Sequence, residues 1–292
     1  MGAQRAVRRR SAVAGGAAAL LAGVLARHGD GAEHRPGRTA PAVPAAPVGP
    51  QGPGELSAAW AVEVGTGRGL AHDADRPGPL LALAGGLSAA RLLAEHGPAV
   101  LRRRLRFSPA EVVRGSPVTC WHVDEGMTVA ELGDAAVRRA DATAANLLLT
   151  LADGPRACTG FCRELGDPVT RLDRWAPGSA SARPWDVRDS TTARALGTTY
   201  GHLLLGDVLA PPQRRAFASW LPTVPLPGGW RLHHAVGTGL FGSSCTAGLA
   251  HRGGRVVLVA ALVRGVRPGA TGSPQDATAV AVAAVRAVVG AG

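Results

Sequence analysis

Apolar and polar positions along the chain follow two different periods. Residues 59–64 and 68–72 read as short strands joined by the turn Gly65-Thr66-Gly67. A long helical stretch follows. Thr128-Val-Ala-Glu131 is a capping box, with a hydroxyl and a carboxylate three residues apart to satisfy N–H groups at a helix start, and it predicts a helix to about residue 138. Further helices are predicted over 143–151, from Asp153-Gly-Pro155 to Gly166, from a Ser190/Thr191 cap to Gly206, and from Pro211-Pro212 to Trp220. Strand patterns return at 230–235 and 255–263, and Ser273-Pro274 introduces a last, apolar-faced helix over 276–289. Strands at both ends of a helical middle imply that the two ends meet in one sheet. The expected fold is therefore an α/β sandwich, with a sheet subdomain made of about 55–80 and 222–292 and an inserted all-helical subdomain at about 81–221.

The ends change this picture only outside the domain. In residues 1–30 the basic run Arg8-Arg9-Arg10 precedes a weakly apolar segment, 12–26, too short and too alanine-rich to span a bilayer stably. This reads as an export signal, so a secreted or extracytoplasmic protein without a stable membrane span in its mature form is expected. Paired arginines and modest hydrophobicity point to the twin-arginine route, although the rest of that consensus is poor. Residues 31–54, with Pro41, Pro44, Pro47, Pro50 and Pro53, read as a Pro/Ala/Gly-rich tether ahead of a domain at 55–292.

Composition then narrows the chemistry. The formal charge is +11, and because the chain contains no lysine all 32 basic residues are arginines. They form no stripe interleaved with aromatics, which argues against nucleic-acid binding. Cys158 and Cys162 are four apart on an expected helix, a spacing that suits buried thiols better than a disulfide, and the states of Cys120 and Cys245 stay open. No Cys/His cluster has metal-ligand spacing, so no metal or other cofactor is expected.

Three passages carry a specific resemblance. They are Ser116-Pro-Val-Thr119 with Gly126-Met-Thr-Val-Ala-Glu-Leu132 and Asp141-Ala-Thr-Ala-Ala-Asn-Leu-Leu-Leu149; Leu165-Gly-Asp-Pro-Val-Thr-Arg-Leu-Asp-Arg-Trp-Ala-Pro177 with Arg188-Asp-Ser-Thr-Thr192; and Gly228-Gly-Trp-Arg231 followed by Gly237-Thr-Gly239. In this order, from about Leu56 onward, they resemble the class A serine β-lactamases. The resemblance implies a sandwich with an antiparallel five-stranded sheet, a monomer, and a β-lactam or peptidoglycan-like ligand. The 165–177 passage is similar to that family's omega loop, with Arg174 and Asp189 at the positions of its closing ion pair and Arg171 and Asp173 also matching. The segment 221–229 is several residues shorter than the family's.

The family's chemistry rests on S-x-x-K, S-D-N and K-T-G motifs and on a glutamate that works through a water. By resemblance, Ala82 stands at the serine and Gly85 at the first lysine. S-D-N becomes Ala140-Asp141-Ala142, which keeps only the aspartate. The glutamate becomes Ala176, and the asparagine beside its water becomes Ala180. K-T-G becomes Ala235-Val236-Gly237, followed by Thr238 and Gly239. Composition makes the losses independent of register: there is no lysine, Asn146 is the only asparagine, and no glutamate follows Glu164. No catalytic residue is intact. Ala82, Thr238 and Gly239 remain as backbone ligand-binding positions, because an oxyanion hole needs N–H groups rather than side chains.

Two function classes follow. The first is a catalytically inactive or severely impaired family member that binds a β-lactam or cell-wall ligand weakly. The second is an active serine-type hydrolase of β-lactams or related amides and esters that uses relocated residues such as Ser88 or His234. Ser88 heads an S-x-x-R whose arginine cannot act as a base. A histidine at 234 could be a base or anion ligand, though one of His233 and His234 packing inward and the other facing solvent is the plainer expectation. Cys245, and the group Cys120-Trp121-His122, are further thiol and imidazole candidates without a clear activating partner.

Overall fold

A computed structural model of the chain describes residues 56–290. The leader and tether expected in 1–54 lie outside the described residues. Strands β1 (Leu56–Glu63), β2 (Gly69–His72) and β3 (Gly78–Pro79) precede helix α1 (Leu83–His96). Short strands β4 (Arg104–Leu105) and β5 (Met127–Thr128) lead into α2 (Val129–Arg139), α3 (Ala142–Leu151) and α4 (Gly154–Glu164). After β6 (Ser190–Thr191) come α5 (Ala193–Leu204) and α6 (Pro211–Trp220). The chain finishes with β7 (Thr223–Leu226), β8 (Trp230–Thr238), β9 (Ser244–Arg252), β10 (Arg255–Arg264) and α7 (Pro274–Val289).

The two ends do meet in one sheet, of order β2-β1-β10-β9-β8-β7, with β1 antiparallel to β10 from Leu56↔Arg264 to Glu63↔Val257. It has six strands rather than five. The additional one, β7, is an edge strand, which is where its Pro225 is tolerated because an edge position need not donate an N–H. Along β1, Ala58, Trp60 and Val62 face the core shared with the helical lobe, while Ala59 and Ala61 face α7. Both faces are covered, so the strand reads as a continuous apolar run instead of alternating. The lobe face holds Leu83 and Leu87 of α1, Leu132 of α2 and Leu148 of α3 in one core with Leu258 and Ala260 of β10. Helix α5 lies against β1, β9 and β10 on that face. Its Gly197 is needed there, since a Cβ would sit 2.4 Å from the Trp60 ring.

The sequence's capping signals position most helices. Thr128 Oγ1 accepts from Glu131 N and Glu131 Oε2 accepts from Thr128 N at 2.7 Å. Ser273 caps α7, with Asp276 answering its N–H. One expectation fails: Ser190 and Thr191 do not cap α5. They form β6 against β3, and Thr192 supplies the cap, its Oγ1 accepting from Ala195 N at 3.2 Å. Among the described residues no helix is long and apolar enough to cross a membrane.

Candidate functional site

The N-terminus of α1 meets β8 at close range, and the local backbone shows why. Leu81, buried, has φ +54, a conformation unfavourable for a branched side chain and sustained only by its surroundings. Two glycines of β8 and its extension make room for it. A Cβ at Gly237 would lie 2.8 Å from Ala82 N and 2.9 Å from Leu81 Cβ; one at Gly239 would lie 2.6 Å from Leu81 Cδ2 and 2.8 Å from the Ala180 carbonyl oxygen. Leu240 N also donates to that carbonyl at 3.3 Å. Ala82, Ala180, Gly237 and Gly239, four of the positions assigned by resemblance, thus converge where α1, β8 and the 165–189 loop meet, and Thr238 lies between the two glycines.

The wall of this junction is apolar. Gly85, one turn into α1, packs between α2 and α3, and a Cβ there would lie 3.2 Å from both Ala136 Cβ and Ala145 Cβ. Even alanine would press on its neighbours, so a longer stem would have to displace them. Ala235 is buried in the core shared with the lobe, paired with Ala247 of β9. Val236 points to the other face, opposite Thr246. Ala140 ends α2 in a left-handed conformation, and Ala142 opens α3.

Asp141, kept from the S-D-N pattern, is not a pocket group. It is fully buried and caps α3. Its Oδ2 accepts from Val118 N at 2.8 Å and Thr119 N at 2.9 Å, and its Oδ1 from Thr119 Oγ1 and Ala144 N, both at 2.8 Å. With four donors on two oxygens it has no capacity left for a ligand.

The loop is closed by polar contacts. Arg174 Nε donates to Asp189 Oδ2 at 2.5 Å, and Asp189 Oδ1 accepts the backbone N–H groups of Asp173 and Arg174. Asp189 N returns a bond to Asp173 Oδ2, and Asp173 is held by Arg171. The Arg171 guanidinium keeps the Asp173 carboxyl below the usual carboxylate range. Asp186, clamped by Arg188 and then by Arg174, lies well below it. Asn146 makes a reciprocal pair with the backbone of Ala176: Nδ2 donates to its carbonyl and Oδ1 accepts its N–H, each at 2.9 Å. Asn146 lies one helical turn beyond the Ala140-Asp141-Ala142 positions. Its status as the only asparagine was the available signal, and the structure shows that it ties α3 to the loop.

Of the relocated candidates, Ser88 and His234 are not brought to the junction, whereas the Cys245 thiol is. Ser88 is 1% exposed, donates to the Ala84 carbonyl at 2.9 Å and lies 3.3 Å from Cys158 Sγ, inside the helix packing. His234 shares a face with Leu232 and Val236, the α7 side, opposite to Ala235. Thr246 Oγ1 spends its only proton on the Ala235 carbonyl, so His234 Nδ1 donates to Thr246 at 2.8 Å; burial lowers the imidazole pKa to about 4. His233 is half-buried on the lobe-side face, its Nδ1 2.8 Å from Thr223 Oγ1 and its Nε2 2.9 Å from His251 Nε2. His234, not His233, is therefore the inward-packed member of the pair. Cys245 is buried at the junction itself, its sulfur 3.2 Å from where a Gly237 Cβ would sit, but its thiol donates to the Leu80 carbonyl and burial pushes its pKa far up, away from the reactive thiolate. Cys120 and Trp121 stand exposed on a short turn. All four cysteines are unbonded to each other, and burial pushes the Cys162 thiol up to about 12.

Residues 87–288 match the model of the Beta-lactamase enzyme family, a match that begins just past Ala82 and Gly85. The chain is 39% identical to a β-lactamase of Streptomyces fradiae over 269 residues, covering 87% of this chain and 88% of that one. It is 38% identical to β-lactamase AST-1 of Nocardia asteroides, covering 82% and 79%. Among solved structures, a β-lactamase from Burkholderia ambifaria superimposes with a TM-score of 0.77 at 32% identity, over 82% of this chain and 97% of that one. An ancestral class A β-lactamase gives 0.73 at 37%, over 81% and 94%.

Proposed function

This chain belongs to the β-lactamase enzyme family, among its class A members, and on that premise we propose that it is a catalytically silent member that binds a β-lactam or peptidoglycan-like amide weakly and reversibly. One observation carries the reading. Ala82 and Ala180 stand where α1, β8 and the loop converge, and by resemblance they, with Gly85, Ala140, Ala142, Ala176 and Ala235, take the places of the family's nucleophile, bases, lysines and asparagines, yet the backbone at the convergence is closely built.

Hydrolysis by an acyl-enzyme requires a hydroxyl nucleophile, a group to take its proton and an activated water. Alanine at 82 supplies no nucleophile. Gly85, Ala176 and Ala235 supply no base, and without lysine no ammonium attracts a substrate carboxylate. Backbone N–H groups at Ala82 and Thr238 would still suit a carbonyl oxygen, with Gly239 beside them. Loss of a serine nucleophile alone costs on the order of 10⁶ in turnover in subtilisin. Binding through two amides without a cation would be weak.

We read residues 1–30 as an export leader and 31–54 as a tether, which suits a protein acting outside the cytoplasm, and we read the folded part as a monomer divided into sheet and helical subdomains. Hydrolysis by relocated groups is the weaker reading, because Ser88 is enclosed in helix packing and His234 is on the other side of the sheet. Incubation with a fluorescent penicillin tests the proposal: no label should survive denaturing electrophoresis, whereas tryptophan fluorescence should report reversible binding. A covalent label would refute it.

A further inference from the structure

A cleft of about 470 Å³ opens behind the loop, between residues 76–79, the segment 182–190 and the end of β10. Its lining includes none of Ala82, Ala140, Ala142, Ala176, Ala180 or residues 235–239, so it is separate from the junction described above. Six guanidinium groups line it, against two carboxylates, Asp186 and Asp189. Arg174 and Arg188 are taken by those carboxylates and Arg171 by Asp173. Arg76 has one contact, 3.4 Å to Asp73, with both side chains about half exposed. Arg183 and Arg264 have no acidic partner among the described residues.

Arg264 is half-buried, and its burial, followed by the like charge of Arg76, holds its pKa below the ordinary arginine value. Arg264, without a carboxylate of its own, repels Arg76, whose one carboxylate is the exposed Asp73, and an anion between the two would relieve both. The planar fork of arginine suits the paired oxygens of phosphate or carboxylate. The same cleft presents an apolar side. Trp185 is 73% exposed, with Pro184 and Val187 flanking it, and its ring meets that of Phe241 edge-on at 6.0 Å. An indole kept in place yet open to solvent is a stacking surface.

We propose that this cleft is a binding site for a small anion carried on an aromatic ring, an aryl phosphate or aryl carboxylate, with Arg76, Arg183 and Arg264 holding the anion and Trp185 the ring. Binding would brace the loop from behind, without using the junction of α1 and β8.

Phenyl phosphate titrated into the purified protein at low ionic strength, by calorimetry and tryptophan fluorescence, tests this. One saturable site is expected, weakened by added NaCl, with benzyl alcohol giving no binding and inorganic phosphate binding more weakly than phenyl phosphate. The double variant Arg183→Gln/Arg264→Gln should weaken phenyl phosphate at least about tenfold, since it removes two charge-assisted contacts. Trp185→Ala should weaken phenyl phosphate while leaving inorganic phosphate unchanged. Circular dichroism and melting curves should match the parent for both variants, since neither arginine is in the loop's ion pairs. The absence of saturable binding, or equal affinity in a folded double variant, would overturn the site. Equal affinity for phenyl phosphate and inorganic phosphate would overturn the role of Trp185.

Discussion

Along the 167–190 loop the four carboxylates, Asp167, Asp173, Asp186 and Asp189, are all engaged, although Ser181 Oγ is buried without a hydrogen-bond partner among the described residues. Asp167 accepts from Val169 N, Thr170 N and Thr199 Oγ1, Asp189 from three donors, and Asn146 reaches in to hold Ala176 from both sides. Where that loop meets α1 and β8, Ala82, Gly85, Ala180 and Ala235 offer only methyl groups and backbone. Polar groups persist where they satisfy the fold's own N–H and C=O groups. On the reading proposed above, they are missing where a family enzyme would aim them at a substrate. Active-site polar groups usually cost stability, so a fold can lose them without loosening, whereas the loop's supports cannot be lost so cheaply.

Substitutions can break or sharpen this contrast. The largest effect is expected at Asp189, 1% exposed: Asp189→Ala leaves two half-buried N–H groups without their acceptor and Arg174 with Asp186 alone, and should cost about 3 kcal/mol in urea unfolding. A loss below about 1 kcal/mol would mean the loop does not depend on its ion pair.

Next comes acid. His234 holds a pKa of about 4 in the fold against an ordinary 6.5. The unfolded chain therefore takes up a proton that the folded one refuses, and stability present above pH 6.5 is lost as pH falls towards 4, by about 3 kcal/mol. His234→Gln should flatten the stability profile in that window, measured by urea unfolding at each pH. An unchanged slope would show that His234 is not held neutral.

Smaller losses should follow at the two brackets. Asp141→Ala strips four donors and should cost about 2–3 kcal/mol, and Asn146→Ala about 1–2 kcal/mol, both read from chemical denaturation. At the apolar wall the expectation reverses. Ala82→Ser should change stability by less than about 1 kcal/mol and leave β-lactam turnover at the background rate, because no neighbour can take the serine's proton. Hydrolysis appearing in Ala82→Ser would show that a base lies within reach.

Much of the fold was legible because the helix starts are written as capping boxes, at Thr128–Glu131 and Ser273–Asp276, or as prolines, at 211–212. Strand β9 was not. Its Ser-Cys-Thr-Ala-Gly run, residues 244–248, is buried on both faces and so lacks alternation, and its small residues resemble a turn. Strand β7 was hidden by Pro225, and β6 by hydroxyl residues that look like a helix cap. At the site, the absence of lysine and of any glutamate after Glu164 is legible in composition, while strand alternation puts His234 and Ala235 on opposite faces. The close approach of Leu81 to Gly237 and Gly239, and the tight seat of Gly85 against Ala136 and Ala145, depend on distances between elements far apart in sequence. No local pattern encodes them.

The central claim, that this frame has lost its chemistry, is met most directly by nitrocefin hydrolysis with the purified protein at micromolar concentration. The account predicts a rate equal to that of buffer with an equal mass of serum albumin. A rate that rises in proportion to protein and saturates with nitrocefin would contradict it.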